Sequence, residues 1–140
     1  DKKMSKSDEN ENNYIALLDS PDVIMKKIKR AVTDSNTNIE YDENRPGLAN
    51  LLTLHSILTN GTIDDSVNHF KGKMYSELKN ELGEVCVEYL KPVQEEYNRI
   101  IKDKAYLNEI LKSGAEKARY KARRTLSKVY RKIGLVPFPR

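Results

Sequence analysis

Apolar residues recur at steps of three and four over most of this chain, and that spacing predicts helices rather than strands. The longest run is Met74, Leu78, Leu82, Val85, Cys86, Tyr89, Leu90, Val93, Tyr97, Ile100 and Ile101, one face of a helix. Pro92 lies within it and removes a backbone bond, which predicts a kink near Glu88. Upstream, Val23, Ile24, Ile28 and Ala31 mark a helix from about residue 21 to 32. Its start is Ser20-Pro21-Asp22: a hydroxyl at the N-cap, a proline where no N–H is missed, and an acid facing the dipole. Leu48, Leu51, Leu52, His55 and Leu58 line another helix, which Asn60-Gly61 should stop with a left-handed cap. Thr62 with Asp65 forms a capping-box pattern opening a short helix through Val67 and Phe70, ended by Gly72.

Beyond the long run, Asp103 to Lys112 reads as a short helix with Leu107, Ile110 and Leu111 inward, broken by Ser113-Gly114. A last helix covers about 115 to 133. Ala115, Ala118, Ala122, Leu126, Val129 and Ile133 form one stripe of it, and Lys117, Lys121, Arg124, Lys128 and Arg131 form another on the far side. Between the helices, Asp34 to Gly47 is a polar connector with one extended pair expected at Ile39 and Tyr41. Tyr14 to Leu18 fits a strand or one buried turn, and the extended form is the expected one. The fold class is therefore all-α, a small helical bundle.

Charge sharpens this picture more than composition does. The chain has 140 residues and a formal net charge of +4. From Ser113 onward there are nine Lys/Arg against the single acid Glu116, leaving sixteen against twenty before it. The basic surplus is wholly C-terminal, and a line of cations without interspersed acids repels itself unless an anion lies near. Nucleic-acid backbone is the commonest such partner. The bland alternative is a solvated face with some cations paired to acids such as Glu95 or Glu96.

Other chemistry is sparse. Cys86, the one cysteine, lies between Val85 and Val87 without an adjacent cation, which suits a buried thiol rather than a nucleophile. His55 falls on the inward edge of a leucine-rich helix and His69 on an exposed position, so no metal site is expected. Tyr89, Tyr97 and Tyr130 read as core residues with wet hydroxyls. A lone cysteine and the lack of a long apolar run point to a cytoplasmic chain without membrane span or signal peptide. Neither a Rossmann-like alternation nor a His-x-Gly-His signature is present.

One stretch carries a sharper signal. In Lys3-Met4-Ser5-Lys6-Ser7 two ammonium groups alternate with two hydroxyls, a donor set suited to a triphosphate, with Met4 as apolar anchor. Together with Asn13 to Pro21, Lys27 to Ser35, Arg45-Pro46-Gly47-Leu48-Ala49-Asn50-Leu51-Leu52, Phe70 to Tyr75 and Gly114 to Ala118, it resembles the carboxy-terminal half of a bacterial tryptophanyl-tRNA synthetase. Only the first motif is shared widely among class I synthetases.

The resemblance implies that Lys3 and Lys6 are catalytic, that Lys3, Met4, Ser5, Lys6 and Ser7 bind ATP, and that Mg2+ enters with ATP as the substrate complex. It implies tRNA(Trp), tryptophan and ATP as partners, a parent protein that is a homodimer through its other half, and docking of tRNA on the C-terminal helices. Lys117, Lys121, Arg124, Lys128 and Arg131 are the tRNA-binding candidates. On this reading residues 1–19 are the loop and the end of a Rossmann-type catalytic domain, with Tyr14 to Leu18 a strand-like remnant, and residues 20–140 are the helical tRNA-binding domain. The parent is an ATP-dependent ligase, and the fragment alone is expected to be inactive. A non-catalytic helical RNA-binding module descended from such an enzyme is the alternative.

Overall fold

Proline and short polar side chains set where the helices begin. The computed structural model describes residues 10–136, and among these every regular element is helical. A 3-10 turn at Glu11–Asn13 precedes α1 (Pro21–Arg30), α2 (Pro46–Leu58), α3 (Ile63–Phe70), α4 (Tyr75–Lys102) and α5 (Lys104–Ile133). Two compact units result, one ending at Glu95 and one running from Glu96.

In the first unit α1 starts at Pro21, and Ser20 is its N-cap, although the Ser20 hydroxyl makes no capping bond. Ile24 and Ile28, one turn apart, enter the core. Lys27 shares that side and is nearly buried, its ammonium 2.7 Å from the Asp19 carboxylate and 4.9 Å from the Tyr14 ring centre. The strand-like segment expected at residues 14–18 is instead a turn, closed by the Asp19 N–H donating to the Ala16 carbonyl at 3.0 Å. An extended segment needs a neighbouring edge for its backbone groups, and no strand exists among the described residues. Side chains take that role here: Asp19 accepts from the Ala16 N–H at 2.9 Å, and the Gln94 amide donates to the Leu17 and Asp19 carbonyls, each at 3.0 Å. The extended pair at Ile39 and Tyr41 is likewise absent, and Ile39 is instead an isolated core residue of the connector.

α2 begins at Pro46, and Gly47 explains how closely its first turn approaches the connector. A Cβ at Gly47 would stand 2.3 Å from the Val32 carbonyl oxygen, a position no side chain tolerates. The helix ends in a Schellman motif, with Gly61 N–H on the Ser56 carbonyl (2.9 Å) and Asn60 N–H on Ile57 (3.2 Å). Asn60, at φ 55°, takes the left-handed conformation there. α3 carries the expected capping box, with Thr62 and Asp65 exchanging both bonds. The core of this unit gathers Ile24, Ile28, Ile39, Leu48, Leu51, Leu52, Phe70, Leu78, Leu82 and Cys86.

α4 runs through Pro92 without interruption. Only its first half is buried, at Leu78, Leu82 and Cys86, whereas Tyr89, Val93, Tyr97 and Ile101 are exposed. The helix start expected at Asp103 is present, its carboxylate accepting from the Tyr106 N–H at 2.9 Å and capping α5, whereas the break expected at Ser113-Gly114 is absent and α5 continues through it. One interior glycine costs a helix only about 1 kcal/mol, which the strong helix formers flanking Gly114 outweigh. No residue of α5 is buried, so Ile110 and Leu111, expected inward, face solvent, as do Leu126, Val129 and Ile133 of the apolar stripe. A unit of so few elements has too little interior to bury a full apolar stripe.

Candidate nucleic-acid interface

The cationic face of α5 follows directly from the helix repeat. At one hundred degrees per residue, Lys117, Lys121, Arg124, Lys128 and Arg131 fall within an arc of about 80° and extend over about 21 Å of axis. All five are exposed. None forms a salt bridge among the described residues, and Glu96, an expected acid partner, pairs with Arg99 at 2.7 Å instead. The helix thus presents one positive charge for each turn, bare to solvent. The exposed Tyr89 and Tyr97 are not the core residues that their spacing suggested.

Lys3, Met4, Ser5, Lys6 and Ser7 lie outside the described residues, so the candidate ATP site is defined by its sequence alone.

In the first unit a polar network fixes the connector onto the start of α4. Arg45 holds Asp34 through Nε (2.9 Å) and Nη2 (3.2 Å), and the same Nη2 donates to the Asn38 carbonyl at 2.9 Å. The Tyr75 hydroxyl reaches Asp34 at 2.9 Å and also contacts the Arg45 guanidinium. The Arg45 bond above all holds the Asp34 carboxyl well below the usual carboxylate range, so the network stays charged through mild acid. Beside it Lys79, half-buried, donates to the Ala31 carbonyl at 2.8 Å and the Thr33 hydroxyl at 3.1 Å. Lys79 lines a cleft of about 400 Å³ with Lys29, Ser76 and Asn80. Nothing in the spacing of the sequence linked Lys29 to Lys79, because only folding brings the end of α1 beside the start of α4.

The remaining candidates are structural. His55 is buried, and its Nδ1 lies 2.9 Å from the Ser66 hydroxyl. Burial pushes the Cys86 thiol up to about 11, which suppresses the thiolate and suits a packed residue. Among the described residues no three His, Cys, Asp or Glu side chains cluster as a metal site, and no helix is long and apolar enough to cross a membrane.

His55 carries a pH prediction. Burial lowers its pKa below the ordinary 6.5, so the folded state disfavours the proton that the unfolded chain binds. The corresponding stability is complete above 6.5 and is lost as pH falls from there toward the depressed folded value. The melting temperature should therefore drop as the pH falls below 6.5, and His55→Gln should flatten that drop. An unchanged slope in the variant would assign the effect to other groups.

Residues 1–91 match the family described as tRNA synthetases class I (W and Y), and the chain belongs to that family. Within it the similarity is to tryptophan enzymes. The chain is 48% identical over 136 residues to the tryptophan–tRNA ligase of Clostridium perfringens, covering 97% of this chain and 41% of that protein. The Bacillus subtilis tryptophan–tRNA ligase is likewise 48% identical, over 135 residues, with 41% of its length covered. The crystal structure of tryptophanyl-tRNA synthetase from Mycoplasma pneumoniae superposes with a TM-score of 0.70 at 34% identity, covering 96% of this chain and 43% of that one. The chain thus spans about two fifths of the length of these relatives.

Proposed function

We propose that these residues are the carboxy-terminal part of a tryptophan–tRNA ligase, which activates tryptophan with ATP and transfers it to tRNA(Trp). The observation that carries this reading is similarity to tryptophan enzymes along nearly the whole chain, with Lys3-Met4-Ser5-Lys6-Ser7 included in the family match. In the proposed reaction a tryptophan carboxylate oxygen attacks the α-phosphorus of ATP and pyrophosphate leaves. Mg2+ comes with ATP. Lys3 and Lys6 stabilise charge on the departing phosphoryl oxygens, and Met4, Ser5 and Ser7 shape and complete the ATP contact. Residues 1–19 then end the catalytic domain, residues 20–140 form the tRNA-binding domain, and the parent protein is a cytoplasmic homodimer joined through its other part.

The other three fifths of the relatives' length has no counterpart in these residues. By itself the chain should be silent in tryptophan-dependent pyrophosphate exchange, and measurable exchange would overturn that expectation.

The α5 face supplies the RNA contact in this proposal. A surface that neutralises phosphates releases counterions, so affinity falls with salt by a slope of about 0.7–0.9 per contact. Replacing Lys117, Lys121 and Arg124 with glutamine should weaken tRNA binding at low salt and reduce the log–log salt slope by roughly 2–3. A parallel line with unchanged slope would show that the face is merely solvated.

A further inference from the structure

We propose that the cleft between α1 and α4, lined by Lys29, Ser76, Lys79 and Asn80, is a binding site for a phosphate group. It lies wholly within the first unit, and its argument does not use the α5 face or the N-terminal motif.

The argument starts from Lys79. Its ammonium is half-buried and donates to two neutral acceptors, the Ala31 carbonyl and the Thr33 hydroxyl. An ammonium has three N–H donors, so one remains beyond those two bonds. Charge withdrawn from water calls for an opposite charge, yet no carboxylate among the described residues forms a salt bridge with Lys79 or with Lys29. The cleft therefore carries one half-buried ammonium without an acid partner, and the exposed Lys29 adds a second positive charge to its lining.

The neutral lining has matching chemistry. Ser76 and Asn80 are one turn apart on α4, so their hydroxyl and amide share the face that carries Lys79. The lining is mostly apolar surface, and the donors its residues carry are two ammoniums, a hydroxyl and an amide, groups from which phosphate oxygens accept. The volume, about 400 Å³, falls in the range of small-ligand sites and admits a phosphate with the sugar attached to it. Capping of the α1 end by Lys79 accounts for the Ala31 bond alone. It leaves the place of Lys29, Ser76 and Asn80 in the same lining without a role.

The strap behind the cleft keeps this geometry. Asp34, Arg45 and Tyr75 tie the connector to the first turn of α4, next to Ser76, and thereby hold Ala31 and Thr33 where Lys79 meets them. They are positioning residues for the cleft.

A phosphate group has two sources, an RNA backbone and a free nucleotide tail. The test is a titration of the 140-residue chain, followed by amide NMR, with inorganic phosphate, with ATP and with a short single-stranded RNA. Saturable shifts in the last turn of α1 and the first turns of α4 are expected with all three, separate from any shifts that ATP causes at residues 3–7 or RNA causes along α5. Tighter binding of RNA, with a salt slope that falls by about one when Lys29 is replaced by Met, assigns the site to an RNA phosphodiester. Tighter binding of ATP assigns it to a nucleotide. Lys29→Met removes a side chain that makes no hydrogen bond or ion pair with the strap among the described residues, and should weaken phosphate binding roughly two- to fivefold with an unchanged melting temperature. Asn80→Asp, which places a carboxylate in the cleft, should abolish it. The proposal is overturned if none of the three probes gives saturable shifts there, or if both variants bind as the parent chain does. Because no tryptophan activation or tRNA enters the assay, that failure is separate from failure of the ligase reading.

Discussion

Phe70→Ala should destabilise the chain by about 3–5 kcal/mol, the largest loss expected from any single truncation of the core. Phe70 is fully buried at the end of α3, and the cluster around it joins three elements. Its ring meets His55 of α2 edge-on at 4.8 Å and His69 of α3 at 4.7 Å, and the Lys73 ammonium lies 5.0 Å from its centre. His69 and Lys73 in turn reach Glu81 of α4 at 2.5 and 3.5 Å. Truncation thus removes the ring's transfer energy and leaves a cavity between helices whose backbones are held by caps at both ends of α3, so collapse into the space is limited. Natural domains are stable by only about 5–15 kcal/mol, so the loss is a large fraction of the total. Thermal unfolding should shift down by about 12 °C or more. A shift equivalent to less than about 1 kcal/mol would mean that α3 does not depend on this contact.

Lys6→Ala should lower tryptophan activation by roughly 10²–10³-fold, about 2.7–4 kcal/mol of transition-state stabilisation, once the chain is joined to the missing three fifths of a tryptophan ligase such as the Bacillus subtilis relative. Pyrophosphate gains negative charge as it leaves, and an ammonium aimed at that charge counts for more in the transition state than in bound ATP. The loss should therefore appear in kcat for pyrophosphate exchange rather than in the affinity for tryptophan. Affinity for tRNA should be unchanged, because the α5 cations are untouched. Equal loss of activation and tRNA binding would count against the ligase reading. Activation unaffected by Lys6→Ala, with tRNA binding intact, would favour the non-catalytic RNA-binding module.

Much of the first unit was legible from residue patterns. Thr62 and Asp65 mark the start of α3 because a capping box is a local bargain between one side chain and the next turn, complete within four residues. Pro21 opens α1 for a similarly local reason. The misreadings occurred where a local signal was weak and residues beyond it decided. Ser113-Gly114 carried a breaker signal of about 1 kcal/mol, less than the helix on either side supplies. Tyr14 to Leu18 had an apolar run compatible with two conformations, and Asp19, Lys27 and Gln94 chose the turn by occupying its backbone groups.

The sequence by itself determined the helical class, the position of most helix starts, the cationic stripe of α5 and the family, since each rests on residue order and on a repeat of 3.6. Tertiary structure alone decided that Asp34, Arg45 and Tyr75 share one network, that Lys29 and Lys79 face one cleft, and that half of the apolar face of α4 remains in water. The reason is physical. Periodicity specifies which side of a helix is apolar, but burial and charge pairing depend on what another segment, distant in the chain, brings against that side.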